Sequence, residues 1–281
     1  ISGNMLSSGI PLSFGSWSNL ESLDLSNNGL NGGIPSTLGF LSMLTRLDLS
    51  GNYLSGLVRE EVFDGAKYLV EINLERNALT GIANSIVGLD SLRILNVGDN
   101  VLGTFPRHVT QLVNLTSLDL RENEFREELH PSIGRMKGLQ SLNLSGNLFF
   151  GTIPVEFGNL EGLTILLDLS FNDLTGLIPN RIGELTGLRR LLLNSNQLSG
   201  ALPVELAALE QIAELRVDDN NFFGFVPGEL CALYDTKKAL TFADCDELVL
   251  TSCFTNCCTD GLGCKCQHEK TDPFRCVFGL Q

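Results

Sequence analysis

Residues 139–160 read LQSLNLSGNLFFGTIPVEFGNL, and this stretch decides the fold. Leu142 and Leu144 alternate around one polar residue, Asn147 follows three places on, and Phe149 lies two places beyond that. In an extended strand the two leucines share one face. Such a face is too small to be stable alone. The pattern, with Ile, Val or Phe allowed for Leu, recurs around Asn28, Asn52, Asn77, Asn100, Asn123, Asn172, Asn196 and Asn220, and Asn4 with Leu6 ends one further, partial copy. Spacings between successive asparagines stay between 23 and 25 residues with a mean of 24. A fixed period of that length marks a solenoid, in which each unit buries its apolar face only against the next. Ten copies predict one continuous core.

The recurring asparagine follows from the same geometry. Just past each strand the chain bends inward and buries peptide groups, which need a partner carrying both a donor and an acceptor. A carboxamide supplies both, so Asn28, Asn52, Asn77, Asn100, Asn123, Asn147, Asn172, Asn196 and Asn220 are expected to form a ladder along the inner bend. Seven copies add an apolar residue and Pro after the asparagine at what reads as a fixed offset, as in Ile34-Pro35, Phe105-Pro106 and Ile153-Pro154. Gly32, Gly151 and Gly176 lie two residues before the apolar one. Glycine permits a sharp bend, and proline fixes an extended edge with no donor to satisfy. Copies three to six depart: Val58-Arg59 and Ala83-Asn84 replace the apolar-Pro pair, and Glu127 and His130 take the Gly and Pro positions after Asn123. A looser edge is expected there, read either as a lateral contact patch or as drift on a tolerant convex surface.

With the following Leu-Gly-x-Leu, as in Leu38-Gly39-Phe40-Leu41, these features resemble the plant-type leucine-rich repeat over roughly residues 1–230. The resemblance implies an α/β solenoid, curved and somewhat twisted, with a parallel β-sheet on the concave side and short helical or 3-10 turns on the convex side. Ten strands at ~4.8 Å each make an arc of roughly 45–50 Å.

All eight cysteines lie in the tail: Cys231, Cys245, Cys253, Cys257, Cys258, Cys264, Cys266 and Cys276. Their even number and crowding suggest a disulfide framework and an oxidising compartment, with the pairing left open. A zinc site needs paired Cys-x-x-Cys or Cys/His ligands, whereas the tail offers Cys-x-x-x-Cys-Cys and Cys-x-Cys with His268 as its one histidine. Residues 231–281 are therefore expected to form a cysteine-rich cap, with a degenerate strand from Leu240 to Cys245 leading into it. The run Ala243-Asp244-Cys245 followed by Cys253 to Thr259 resembles the cysteine-rich ends of repeat proteins from diatoms and related algae. Two glycosylation sequons fit a secreted chain, Asn114-Leu-Thr116 in a connecting turn and Asn143-Leu-Ser145 on a strand where a glycan would obstruct the concave face.

With 33 acidic against 19 basic side chains and a net charge of −14, the chain has no basic footprint, which argues against nucleic acid as a partner. No apolar run approaches the ~18 residues of a membrane span. The opening Ile1-Ser2-Gly3-Asn4 is not of signal-peptide type and lies inside a repeat, so upstream sequence is expected. There is no phosphate loop, no Gly-x-Ser-x-Gly elbow and no His-Glu-x-x-His helix, and the imidazoles are His108, His130 and His268. No catalysis, cofactor or metal is expected; function is assigned to binding on a wide concave surface.

In each strand the residues six, four, two and one before the asparagine point away from the core. Repeated pairs such as Asp24/Ser26, Asp48/Ser50 and Asp168/Ser170 read as scaffold. Positions that break this rule define the candidate ligand-binding strip: Glu71, Glu75, Arg76, Arg121, Glu122, Glu124, Arg190, Asn194, Arg216 and Asp218, joined by Arg46, Tyr53 and Phe171. Arginine grips carboxylates through paired hydrogen bonds, and aromatic rings add contact area at low entropic cost. The resulting expectation is an extracellular or cell-surface module similar to receptor-like repeat ectodomains, recognising a protein or peptide ligand, with a co-receptor as a second partner class. A secreted inhibitor of wall-degrading hydrolases, resembling polygalacturonase inhibitors, and a structural or adhesive matrix protein are the alternatives.

Overall fold

Each copy places three residues in a strand centred on its first core leucine. The computed structural model describes residues 1–230 and four short tail strands, Leu240–Phe242, Leu248–Val249, Lys265–Cys266 and Cys276–Val277. Ser22–Asp24, Arg46–Asp48, Glu71–Asn73, Ile94–Asn96, Ser117–Asp119, Ser141–Asn143, Leu166–Asp168, Arg190–Leu192, Glu214–Arg216 and Leu240–Phe242 form one ten-stranded parallel sheet in chain order. The partial copy at Asn4 contributes no strand to it. Register sets leucine beside leucine, Leu118 to Leu142 to Leu167 to Leu191 to Leu215. These side chains are almost wholly buried and belong to one core running the length of the stack.

The ladder asparagines hold the inner bends. Asn172 donates through Nδ2 to the carbonyls of Leu169, Ser170 and Leu144, each at 3.1 Å, and its Oδ1 accepts the Phe149 amide at 3.0 Å. One carboxamide thus joins its own bend to the preceding copy, and the arrangement repeats at Asn52, Asn100 and Asn196. The residue before each ladder asparagine is left-handed, from φ 48° at Glu122 to φ 64° at Gly51 and Gly146.

A second set of strands runs along one flank. Ser7–Ser8, Gly29–Gly32, Tyr53–Val58 and Ala78–Ile82 form one parallel lateral sheet, and Phe150–Thr152, Asp173–Gly176, Gln197–Gly200 and Asn221–Phe222 form another. Among the described residues the convex side carries eight five-residue 3-10 turns, including Asn84–Gly88, Arg107–Gln111, Pro131–Arg135 and Val155–Asn159, and the short α-turn Glu61–Asp64. Between the lateral sheets, the copies of Asn100 and Asn123 form no lateral strand among the described residues.

Two differences in sequence account for the break. Phe105-Pro106 follows Asn100 one residue sooner than Ile153-Pro154 follows Asn147, so the apolar-Pro offset is not fixed throughout the chain. Pro106 accordingly has ψ 77°, against 139° at Pro154. Thr104 and Glu127 also stand where Gly151 and Gly176 adopt φ 76° and 77°, a conformation that glycine reaches without steric cost. In place of a ladder, the Glu127 carboxylate accepts the Phe105 amide and the Arg107 Nη2, both at 2.8 Å. Phe105, Phe125 and Phe149 fill the core behind the break, with ring centroids 5.6 to 6.1 Å apart.

Candidate functional site

Strand alternation directs every second side chain onto the concave sheet, where registration brings charged residues of neighbouring copies together. Near the first copies, Arg46 lies 3.5 Å from Asp48 and 3.4 Å from Glu71, while Asn73 donates to Asp48 at 3.4 Å. Arg121 forms the centre of the next group. It pairs with Asp119 on its own copy and reaches back two copies to Glu75 at 2.6 Å, whose other oxygen accepts from Asn96 at 3.1 Å. Arg76 extends this group to Asp99 at 3.5 Å. A third group lies further along: Arg190 meets Glu214 at 2.7 Å, and Arg216 grips Asp218 through Nε and Nη2 at 3.1 and 2.8 Å.

Between the second and third groups lie two strands, whose concave positions are Ser141, Asn143 and Ser145 on one copy and Leu166, Asp168 and Ser170 on the next. These two strands carry no arginine or lysine on the concave side and separate the two arginine-carboxylate clusters. Phe171, 58% exposed, follows the second of these strands. Arg76, Glu122 and Phe171 all occupy the left-handed position before a ladder asparagine and so flank the strands rather than lie within them.

Three expected contacts are placed elsewhere. Tyr53 opens the lateral strand Tyr53–Val58, and Glu124 holds the equivalent position one past its asparagine, so both face the flank. Asn194 points to the concave side but is only 2% exposed, set between Ser170 and Asp218 on the adjoining copies. Asp119, Asn96 and Asp48 join the charged groups without having been singled out in the sequence. Asp119 looked like scaffold because it fills the Asp of the Asp-x-Ser pair; the available signal was Arg121 standing where Ser should be.

The true Asp-x-Ser pairs are satisfied internally. Asp24, Asp48 and Asp168 each accept both the amide and the hydroxyl of the serine two residues on. The Ser26 amide, then its hydroxyl, hold the Asp24 carboxyl below its ordinary range. Asp119 behaves in the opposite way: burial raises its pKa despite the Arg121 amide and guanidinium. Asn143 uses its Oδ1 on the amide and hydroxyl of Ser145, whereas exposed Asn114 makes one bond, from Nδ2 to the Asp90 carbonyl at 3.1 Å. The disulfide expectation concerns cysteine side chains that lie outside the described residues. Among the described residues there is no group of three or more metal-ligating side chains, and no helix is long and apolar enough to cross a membrane.

Family comparison agrees with this geometry. Two family profiles described as leucine rich repeat match, one over residues 1–54 and 68–125, the other over residues 138–160 and 165–185. Receptor-like protein 39 of Arabidopsis thaliana is 36% identical over 121 residues, covering 42% of this chain and 14% of that protein. The plant peptide hormone receptor RGFR1, solved in complex with RGF2, matches with a TM-score of 0.79 at 32% identity, over 88% of this chain and 39% of the receptor. A TDR receptor structure gives the same TM-score and identity over 89% of this chain and 43% of that one. In every case the chain spans less than half the length of the protein it matches. Repeat period, asparagine ladder, lateral sheets and these matches together make the chain a member of the leucine-rich-repeat family, of the plant type.

Proposed function

We propose that the chain is the ligand-recognising part of a receptor-like protein at the cell surface, and that it binds an extended peptide along the concave strip. The observation that carries this reading is the pair of part-exposed arginine-carboxylate clusters, around Arg121 and around Arg190 and Arg216, set two strands apart on one sheet. A peptide backbone fits over Ser141, Asn143 and Ser145, while its polar ends exchange contacts with arginines whose carboxylate partners are already in place. Because those pairs are part-exposed, a ligand carboxylate displaces them at modest cost. Relatives named as receptor-like proteins, and a related receptor solved with a peptide hormone, support the same class of activity. The chain acts here as a binding module, not an enzyme. Residues 231–281 serve as a disulfide-bonded cap on the last repeat, and Asn114 is the glycan acceptor that leaves the strip open.

Arg46 and Arg190 are the half-exposed test positions. The chain is immobilised and screened against a library of short secreted peptides, and the screen is repeated with Arg46→Glu/Arg190→Glu. Retained peptides should lose about tenfold or more in affinity with the unfolding midpoint little changed. Equal retention by both proteins would remove the site from the strip.

A further inference from the structure

Convex turns stack closely where their fourth residue is glycine. A Cβ added at Gly158 would lie 2.6 Å from the Arg181 carbonyl oxygen of the next turn, and one at Gly134 or Gly183 would overlap the carbonyl oxygen of Glu156 or Glu205. In the turns Asn84–Gly88 and Arg107–Gln111 the fourth residue is Val87 and Thr110. A side chain there does not fit at the glycine separation, so each turn holds off the next. The lateral sheet breaks at the same place. Together these departures open a groove of about 650 Å³ between the turns and the outer edge of the Ala78–Ile82 strand, a size typical of ligand sites.

The groove differs in charge from the rest of the molecule. Fifteen residues line it and none is Asp or Glu, in a chain of net charge −14. It holds instead Arg107, whose guanidinium reaches Glu127 just outside the lining at 2.8 Å, Arg135, and two of the three histidines. Arg135 is exposed and makes no ion pair among the described residues. His130 accepts the Ser132 amide at Nδ1, which leaves its ring proton on Nε2. The His108 Nε2 is shut off from solvent without a hydrogen-bond partner among the described residues, an unusual state for a buried polar atom. One wall is apolar, with Leu57 52% exposed beside Ile82, Phe105 and Pro106.

We propose that this flank groove is a second recognition site, taking an extended, carboxylate-bearing segment of a protein partner. The segment lies along the outer edge of the Ala78–Ile82 strand beyond Leu79, whose carbonyl already accepts the Val101 amide at 3.1 Å; among the described residues no strand pairs with residues 80–82 on that side. Its acidic side chains meet Arg107 and Arg135, and its alternate apolar side chains meet Leu57 and Ile82. A sugar acid or free anion would use the cations but neither the strand edge nor the apolar wall. The site is separate from the concave strip, and its success or failure is independent of what binds there.

The test uses the whole chain and a fluorescein-labelled octapeptide of alternating Glu and Val, with a Gln/Val octapeptide as neutral control and a uronate trisaccharide as competitor. The acidic peptide should bind, with the neutral one about tenfold or more weaker. Arg135→Glu should weaken the acidic peptide by about tenfold, with Arg135→Gln intermediate, while Arg190→Glu on the concave face leaves it unchanged. Arg135 is chosen because, unlike Arg107, it holds no carboxylate whose loss would disturb the fold. Failure of the acidic peptide to bind, equal affinity for both peptides, no change in Arg135→Glu, or tighter binding of the trisaccharide would each overturn the proposal.

Discussion

At Asn147 a single carboxamide satisfies four backbone groups from two copies. Its Nδ2 donates to the carbonyls of Leu144, Ser145 and Leu120, each at 3.1 Å, and its Oδ1 accepts the Phe125 amide at 3.4 Å. Leucine would fill much the same space while leaving those groups unpaired. Asn147→Leu should therefore cost about 1–3 kcal/mol, read as a lower denaturant midpoint with an unchanged m-value; an unaltered midpoint would contradict the ladder. Asp119 gives a test of opposite character. Its folded pKa lies above 3.8, so as pH rises the unfolded chain gives up this proton first, and the residue makes stability fall until the folded carboxyl also ionises. Asp119→Asn removes that dependence. The stability of the variant relative to the parent should increase as pH rises through 3.8 and above, as measured by urea unfolding, and a flat or falling difference would refute the raised pKa. The ladder was legible because one residue type recurred with one period. Asp119 and Asn194 were not, because burial among concave side chains depends on neighbours one and two copies of sequence away.

Among the elements, the convex turns show how one atom sets the spacing of a whole ridge. Gly134 has no room for a Cβ against the Glu156 carbonyl, so Gly134→Val should force the two turns apart and cost about 1–3 kcal/mol by thermal unfolding. Val87→Ala, by contrast, forces no turn apart and loses only part of a half-buried side chain packed on the core, so it should cost about 1 kcal/mol or less. A valine tolerated at residue 134 would remove the steric account of the flank groove. The concave strands were readable from the Leu-x-Leu alternation, and the 3-10 turns followed from the repeat type. The lateral break was only partly readable. Glu127 and His130 were visible departures, and the shortened intervals around Asn100 were visible too, but a fixed apolar-Pro offset concealed that Phe105-Pro106 had moved by one residue. Loss of a left-handed glycine and loss of one residue act together, and neither alone announces that a strand will fail to pair.

For the molecule as a whole, stability is a chain of nearest-neighbour contacts, since each copy touches mainly those on either side. Its middle is distinctive: the lateral sheets stop, and Phe105, Phe125 and Phe149 pack behind the gap. Phe125 is fully buried, and Phe125→Ala should lower stability by about 3–5 kcal/mol, a loss large enough to separate unfolding of the two halves in a denaturant titration. The same architecture leaves two surfaces of different chemistry, a concave strip where each arginine group is met by carboxylates and a flank groove where Arg107 meets Glu127 but exposed Arg135 makes no ion pair among the described residues. Both depend on copies stacked in the register described. Hydrogen exchange tests that register most directly. In the parent chain, amides two residues past the ladder asparagines, including Leu54, Leu79, Leu102, Phe125, Phe149 and Leu174, should form a protected series with the repeat's period. In Asn147→Leu the Phe125 amide of the preceding copy should lose protection before the Phe149 amide of its own copy, whereas equal loss at both, or protection without the period, would contradict the stacked ladder.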